Sequence, residues 1–196
     1  MPLDRIMNLE HFAHGVTHSC TVIHRDSGRG VLRPPVYENS QYAAAPFSRE
    51  LDIDQLKFTR AVVDETMRLY PPAFLIARAA IGPDSIAGMP VKKRDVILIA
   101  PWLLHRHEKL WRDPNAFIPA RFMPPAPPPD RFAYLPFGVG ARVCIGAHFA
   151  LVEATLALAK LIGAFRVSLP DKTPVMPIGV VTTQPDHSPM FLISPR

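Results

Sequence analysis

Proline sets the outline of this chain before any other residue does. There are 23 prolines among 196 residues, against ~5% in an average globular chain. Each fixes one backbone torsion and removes an amide donor, so helices and central strands must fall between them. From Pro119 to Pro136 they crowd so closely that a long ordered loop is expected there. Pro71-Pro72 put a sharp stop on whatever precedes them.

The segments between the prolines carry readable periodicities. Phe58, Val62, Val63 and Leu69 give an apolar face to a helix over residues 56–69. Residues 74–80, 90–92 and 96–100 read as short strands, with turns at Gly82-Pro83-Asp84 and at 93–95. Residues 101–105 suit one helical turn, and 111–136 is loop. The most regular helix is expected over 145–162, on the repeat of Leu151, Val152, Ala154, Leu156, Leu158, Ala159 and Leu161, with Gly163 at its end. Residues 180–184 and 190–193 suggest a closing hairpin around Pro185-Asp186. The expected fold is mainly α with small β-sheets, an α+β arrangement over residues 51–196. Residues 1–50 form an irregular segment carrying His11, His14, His18, Cys20, His24, Gly28, Gly30 and Pro34-Pro35.

Composition narrows the function classes. With 48% hydrophobic and 20% charged residues, the chain can bury a core. The formal charge is +5, but the basic residues Arg106, Lys109, Arg112, Arg121, Arg131 and Arg142 are scattered and form no dense run. That argues against a nucleic-acid partner. The first residues lack the apolar core of a signal peptide, and no apolar run approaches the ~20 residues that span a bilayer. The expectation is therefore no membrane and a cytoplasmic location, with Cys20 and Cys144 as free thiols.

The stretch from Phe137 to Gly146 reads Phe-Gly-Val-Gly-Ala-Arg-Val-Cys-Ile-Gly. Gly138, Gly140 and Gly146 allow positive φ and a close approach by something large. Cys144 sits just before a helix, whose first N–H groups and positive dipole end favour a thiolate. That environment suits a metal ligand. Other readings exist. Cys144 can be a small buried hydrophobe, or a nucleophile with His148, one turn along, as its base. His11, His14, His18, Cys20 and His24 offer a metal cluster, although their spacing fits no standard zinc pattern. His105, His107 and His148 read as surface or core histidines.

The run resembles the Phe-x-x-Gly-x-Arg-x-Cys-x-Gly signature of the cytochrome P-450 superfamily at all five positions, Phe137, Gly140, Arg142, Cys144 and Gly146. The resemblance implies the haem-binding end of a haem-thiolate monooxygenase, incomplete relative to the family's fold. Cys144 would be the axial iron ligand of haem b and Phe137 would pack beside its sulfur. Arg142 would pair with a propionate. Gly140 would shape the turn, Gly138 would belong to the same haem-binding set, and Gly146 would let the next helix approach the porphyrin. Glu65 and Arg68, followed by Leu69-Tyr70-Pro71-Pro72, are similar to the family's Glu-x-x-Arg. Phe117 to Phe122 resembles its aromatic-Pro-x-Arg-Phe element, with alanine at position 120, often acidic in the family. Glu65, Arg68 and Arg121 would then form a buried structural network. Arg78 would reach a second propionate, and Ala73, Phe74, Leu75 and Thr182 would line a substrate pocket.

Further implications concern the whole family. Such a protein inserts one oxygen atom from dioxygen into a small organic substrate. Its electrons come from NAD(P)H through a ferredoxin or reductase, and an acidic donor would suit Arg112, Arg131 and Arg142. The family also needs a long distal helix with an acid–alcohol pair. The nearest echo here is residues 13–17, ending in Thr17, which lacks the acid. The 196 residues alone are therefore expected to have little monooxygenase activity and to expose apolar surface. A non-catalytic haem-binding remnant is the alternative.

Overall fold

The computed structural model describes residues 53–171 and 173–196. The histidine and cysteine positions from His11 to His24, the echo at 13–17 and the irregular segment 1–50 lie outside the described residues.

Helix α1, Lys57–Leu69, ends just before the two prolines, with Tyr70 N–H closing the last turn on the Thr66 carbonyl at 2.7 Å. Its buried side holds Val63, Met67 and Leu69, and also the charged pair Glu65 and Arg68. Strand β1, Ile76–Ala79, pairs antiparallel with β4, Val96–Ile99, with Arg78 opposite Ile97. Between them β2, Asp84–Ile86, and β3, Met89–Val91, form a tight hairpin. Ala87 and Gly88 both have positive φ at its tip, 52° and 81°, the twist a two-residue hairpin loop requires. Strand β2 replaces part of the turn expected at 82–84.

Helix α2, Pro101–Leu104, is the single turn expected from its proline start. The proline-rich stretch that follows is loop, interrupted by one 3-10 turn at Pro119–Phe122. Helix α3, Ala147–Ala164, has the expected length but starts and ends two residues later than expected. It runs through Gly163, which is buried, and stops only where Phe165 turns extended. Strand β5, Phe165–Ser168, follows directly.

The expected closing hairpin is corrected. Strand β6, Pro177–Gly179, pairs with β7, Thr183–Pro185, so the turn lies at 180–182 and not at Pro185-Asp186. Strand β8, Leu192–Pro195, instead pairs with β5. Period-2 alternation marks a strand but does not name its partner.

Two packed regions hold the described residues together. One is apolar: Val63 and Met67 of α1 meet Ala154 of α3, with Phe137, Leu151 and Leu158 against them. The other surrounds Trp111, which packs with Phe122 and Tyr134. Helix α3 is long and apolar enough to cross a membrane by length and composition. It packs on α1 through Ala154, Leu151 and Leu158, and Glu153 and Lys160 lie along it. At its start the surface is apolar: Val143, Ile145 and Phe149 are all exposed, Ile145 completely.

Candidate functional site

The cysteine loop is shaped by its own backbone. Gly138 and Gly140 have φ of 73° and 77°, where an L side chain is strained. The Leu135 carbonyl accepts from Gly138 N–H at 3.2 Å, and the Phe137 carbonyl accepts from Cys144 N–H at 3.0 Å. A 3-10 turn at Gly140–Arg142 carries the chain round to Cys144. Cys144 is exposed, two residues before Gly146, the N-cap of α3. A methyl group added at Gly146 would lie 3.9 Å from Cys144 Sγ, and one at Gly140 would meet nothing within 4 Å. The thiol is thus exposed, with the bare Cα of Gly146 beside it. Phe137 is half-buried and reaches back to the α1–α3 core.

Arg142 and Arg78 are both exposed, and neither forms an ion pair among the described residues. Arg78 Nη1 donates only to the adjacent Ala77 carbonyl at 2.8 Å. Ile76, two residues earlier and so on the same face of β1, points its Cδ1 to within 3.8 Å of a methyl group built on Gly138. Strand β1 thus lies against the start of the cysteine loop.

Glu65, Arg68 and Arg121 meet in one place. Arg68 grips Glu65 with two parallel bonds, Nε to Oε2 at 2.7 Å and Nη2 to Oε1 at 2.8 Å, and both side chains are 0% exposed. Arg121 Nε approaches Glu65 Oε1 at 3.3 Å, and Ile118 N–H donates to the same oxygen at 2.7 Å. The remaining donors of Arg68 go to the carbonyls of His105, Pro114 and Ala116 at 2.7, 2.7 and 2.9 Å. A buried charge set is tolerable only when satisfied this fully. Its effect is to fasten the proline-rich loop to α1.

Phe74 packs against the β6–β7 hairpin, where Gly179 leaves room for its ring. Ala73 and Leu75, its neighbours, are exposed. Thr182 sits exposed in the hairpin turn, its carbonyl accepting from Val180 N–H at 3.3 Å. The adjacent Thr183 ties the hairpin down: its hydroxyl donates to the Pro71 carbonyl at 2.6 Å and its N–H to the Pro72 carbonyl at 3.0 Å. Sequence alone does not reveal this link, because its acceptors are main-chain atoms.

The sequence of residues 38–189 matches the family model for cytochrome P450. The chain belongs to the cytochrome P450 family. It is 32% identical over 169 residues to cytochrome P450 71D8 of Glycine max, covering 82% of this chain and 34% of that protein. Over 120 residues it is 40% identical to cyclooctatin synthase of Streptomyces melanosporofaciens, covering 61% and 26%. The fold resembles the crystal structure of the heme domain of a cytochrome P450DA mutant, with a TM-score of 0.76 and 24% identity, over 95% of this chain and 41% of that one. The chain thus spans 34% and 26% of the length of these two curated relatives. Its helices and small sheets are part of a P450 fold.

The cysteine-nucleophile alternative gains nothing from the geometry. No hydrogen bond joins Cys144 to His148 among the described residues, and His148 is exposed. No cluster of three His, Cys, Asp or Glu side chains stands ready for a metal among the described residues. A hollow of about 290 Å³ lies between β1 and the β2–β3 hairpin, lined by Ala79, Ile81, Pro83 and Ile97, away from the cysteine.

The sequence marks His105 as no more than a surface or core histidine, yet it joins the loops of this fold. His105 is fully buried, its Nδ1 3.1 Å from the Arg68 carbonyl, while Leu135 N–H donates to its Nε2 at 2.8 Å. Nε2 must therefore be the bare nitrogen and Nδ1 the protonated one. Burial pushes the ring's pKa down to about 4. Nearby, Tyr134 O–H donates to the Asp64 carbonyl at 2.9 Å and to its carboxylate at 3.1 Å. Burial raises the pKa of Asp64, although Arg60 draws it back.

Proposed function

We propose that this chain is the haem-thiolate part of a P450 monooxygenase, with Cys144 as the axial ligand to iron. The observation that carries the reading is the exposed thiol at the end of a glycine-turned loop, with Gly146 beside it, within a P450 fold. The donor set fits haem b: one exposed thiol just before a helix start, and two exposed arginines, Arg142 and Arg78, with no carboxylate partner among the described residues. When bound, the haem would supply activation of dioxygen and insertion of one oxygen atom into an organic substrate.

The protein's own residues would do the holding. Gly138 and Gly140 would turn the backbone that leads to Cys144, and Gly146 would keep the start of α3 slim beside the sulfur. Glu65, Arg68 and Arg121 would keep the proline-rich loop in register without touching the haem. Ala73, Phe74, Leu75 and Thr182 would border the substrate, and Arg112, Arg131 and Arg142 would present positive charge to an acidic ferredoxin or reductase carrying electrons from NAD(P)H.

The test is the absorption spectrum of the haem-loaded, reduced protein under carbon monoxide, beside a Cys144→Ser variant. A strongly red-shifted Soret band in the parent alone is expected. The same band position in both proteins would end the assignment.

A further inference from the structure

We propose that His105 is a positioning residue for Cys144: its neutral Nδ1–H form ties the lead-in of the cysteine loop to the end of α1, and protonation at Nε2 releases that loop. The inference rests on Cys144 being the working residue of the loop, as proposed above. Its basis is a continuous line of hydrogen bonds. The Arg68 carbonyl at the end of α1 accepts from His105 Nδ1–H at 3.1 Å. His105 Nε2 accepts from Leu135 N–H at 2.8 Å. The Leu135 carbonyl then accepts from Gly138 N–H at 3.2 Å, and the Phe137 carbonyl from Cys144 N–H at 3.0 Å. One imidazole therefore fixes the residue from which the glycine turn begins.

The ring has no second way to serve. Once Nε2 carries a proton it faces Leu135 N–H donor to donor, and the ring itself is fully buried away from water. The charges around it resist protonation as well. Arg68 and Arg106 are both cationic neighbours. The Glu65 carboxylate is already held by Arg68 and Arg121. From the other side Tyr134 packs its ring 5.4 Å from the imidazole and directs its hydroxyl to Asp64. Desolvation is the main reason the ring stays neutral down to about pH 4, with the Arg68 carbonyl working in the opposite direction.

The experiment compares the 196-residue chain with two variants. His105→Gln can place an oxygen near Nε2 and keep an acceptor for Leu135 N–H; His105→Asn is too short to do so. The first readout is amide hydrogen exchange at Leu135, corrected for intrinsic rate and referred to amides within α3. On lowering the pH from about 7 to about 4, Leu135 in the parent should lose protection at least about tenfold more than α3 does. His105→Gln should keep its protection across the range, and His105→Asn should lack it throughout. If Leu135 follows α3 at every pH, or if His105→Gln retains the parent's profile, the proposal is wrong; a retained profile would point to Asp64. A His105→Gln chain that does not fold leaves the parent's own profile to decide. The second readout is the Soret band under carbon monoxide, whose red-shifted fraction should fall with pH in the parent and not in His105→Gln. A band that does not depend on Cys144 would overturn the haem-thiolate reading and leave the exchange result standing on its own.

Discussion

Arg68 and His105 hold each other in both directions: Arg68 Nη1 donates to the His105 carbonyl at 2.7 Å, and the His105 ring donates to the Arg68 carbonyl at 3.1 Å. The two residues are 37 positions apart in the chain and both are fully buried. Through this exchange the last turn of α1 is joined to the turn after α2. Each partner then serves a different stretch, Arg68 the proline-rich loop and His105 the cysteine loop.

Removing one member of the charge cluster should be costly. Glu65→Gln leaves the Arg68 guanidinium buried without its carboxylate, and such a change costs about 3–5 kcal/mol. Arg68→Lys should be nearly as harmful, since a point ammonium cannot fork onto Glu65 and still reach the carbonyls at 105, 114 and 116. Urea unfolding reads this directly. A midpoint change worth less than about 1 kcal/mol for Glu65→Gln would show the cluster to be dispensable.

Stability should fall in acid through His105. Its folded-state pKa of about 4 lies below the 6.5 of a free histidine, so the unfolded chain binds the proton more readily. The contribution is therefore complete above about pH 6.5 and is lost as pH drops towards 4. Its size is on the order of 3 kcal/mol. Comparing denaturation of the parent and His105→Gln across this window isolates it; parallel curves for the two would refute the prediction.

Gly179 and Phe74 should behave as a matched pair. A Cβ at position 179 would lie 2.9 Å from Phe74 Cζ, and the ring would have to move. Gly179→Ala should cost about 1–3 kcal/mol, as overpacking does, and Phe74→Leu should recover part of that loss in a double-mutant cycle. Simple additivity of the two substitutions would show that the contact is loose.

The Tyr134 hydroxyl spans loop and helix by donating to the Asp64 main chain and carboxylate. Tyr134→Phe should cost about 1 kcal/mol, because the Asp64 carboxylate keeps its 2.8 Å bond to Arg60. Thermal unfolding of the variant checks this, and an unchanged or raised midpoint would contradict it.

What the sequence revealed and what it hid divide along a physical line. Helix α1, the proline-rich loop and α3 were legible because prolines and a 3.6-residue repeat act locally. The β5–β8 pairing was hidden, since nothing in Phe165–Ser168 names Leu192–Pro195 as its partner. At the site, the spacing of Glu65 and Arg68 and the residues around Cys144 stood out by type. The acceptors that complete the arrangement did not, because the carbonyls of His105, Pro114 and Ala116 leave no mark in a sequence. The same holds in the last hairpin, where the Thr183 hydroxyl reaches the Pro71 carbonyl.

The convergence of three main-chain carbonyls on Arg68 also bears on the order of assembly. A stretch so rich in proline has few amides with which to knit itself, so its shape is supplied from a helix 46 to 48 positions upstream. During synthesis α1 emerges first and must wait, its ion pair still hydrated, until that distant stretch arrives and closes a long chain loop. Weakening those late contacts should therefore speed the opening of the finished protein more than it slows its formation.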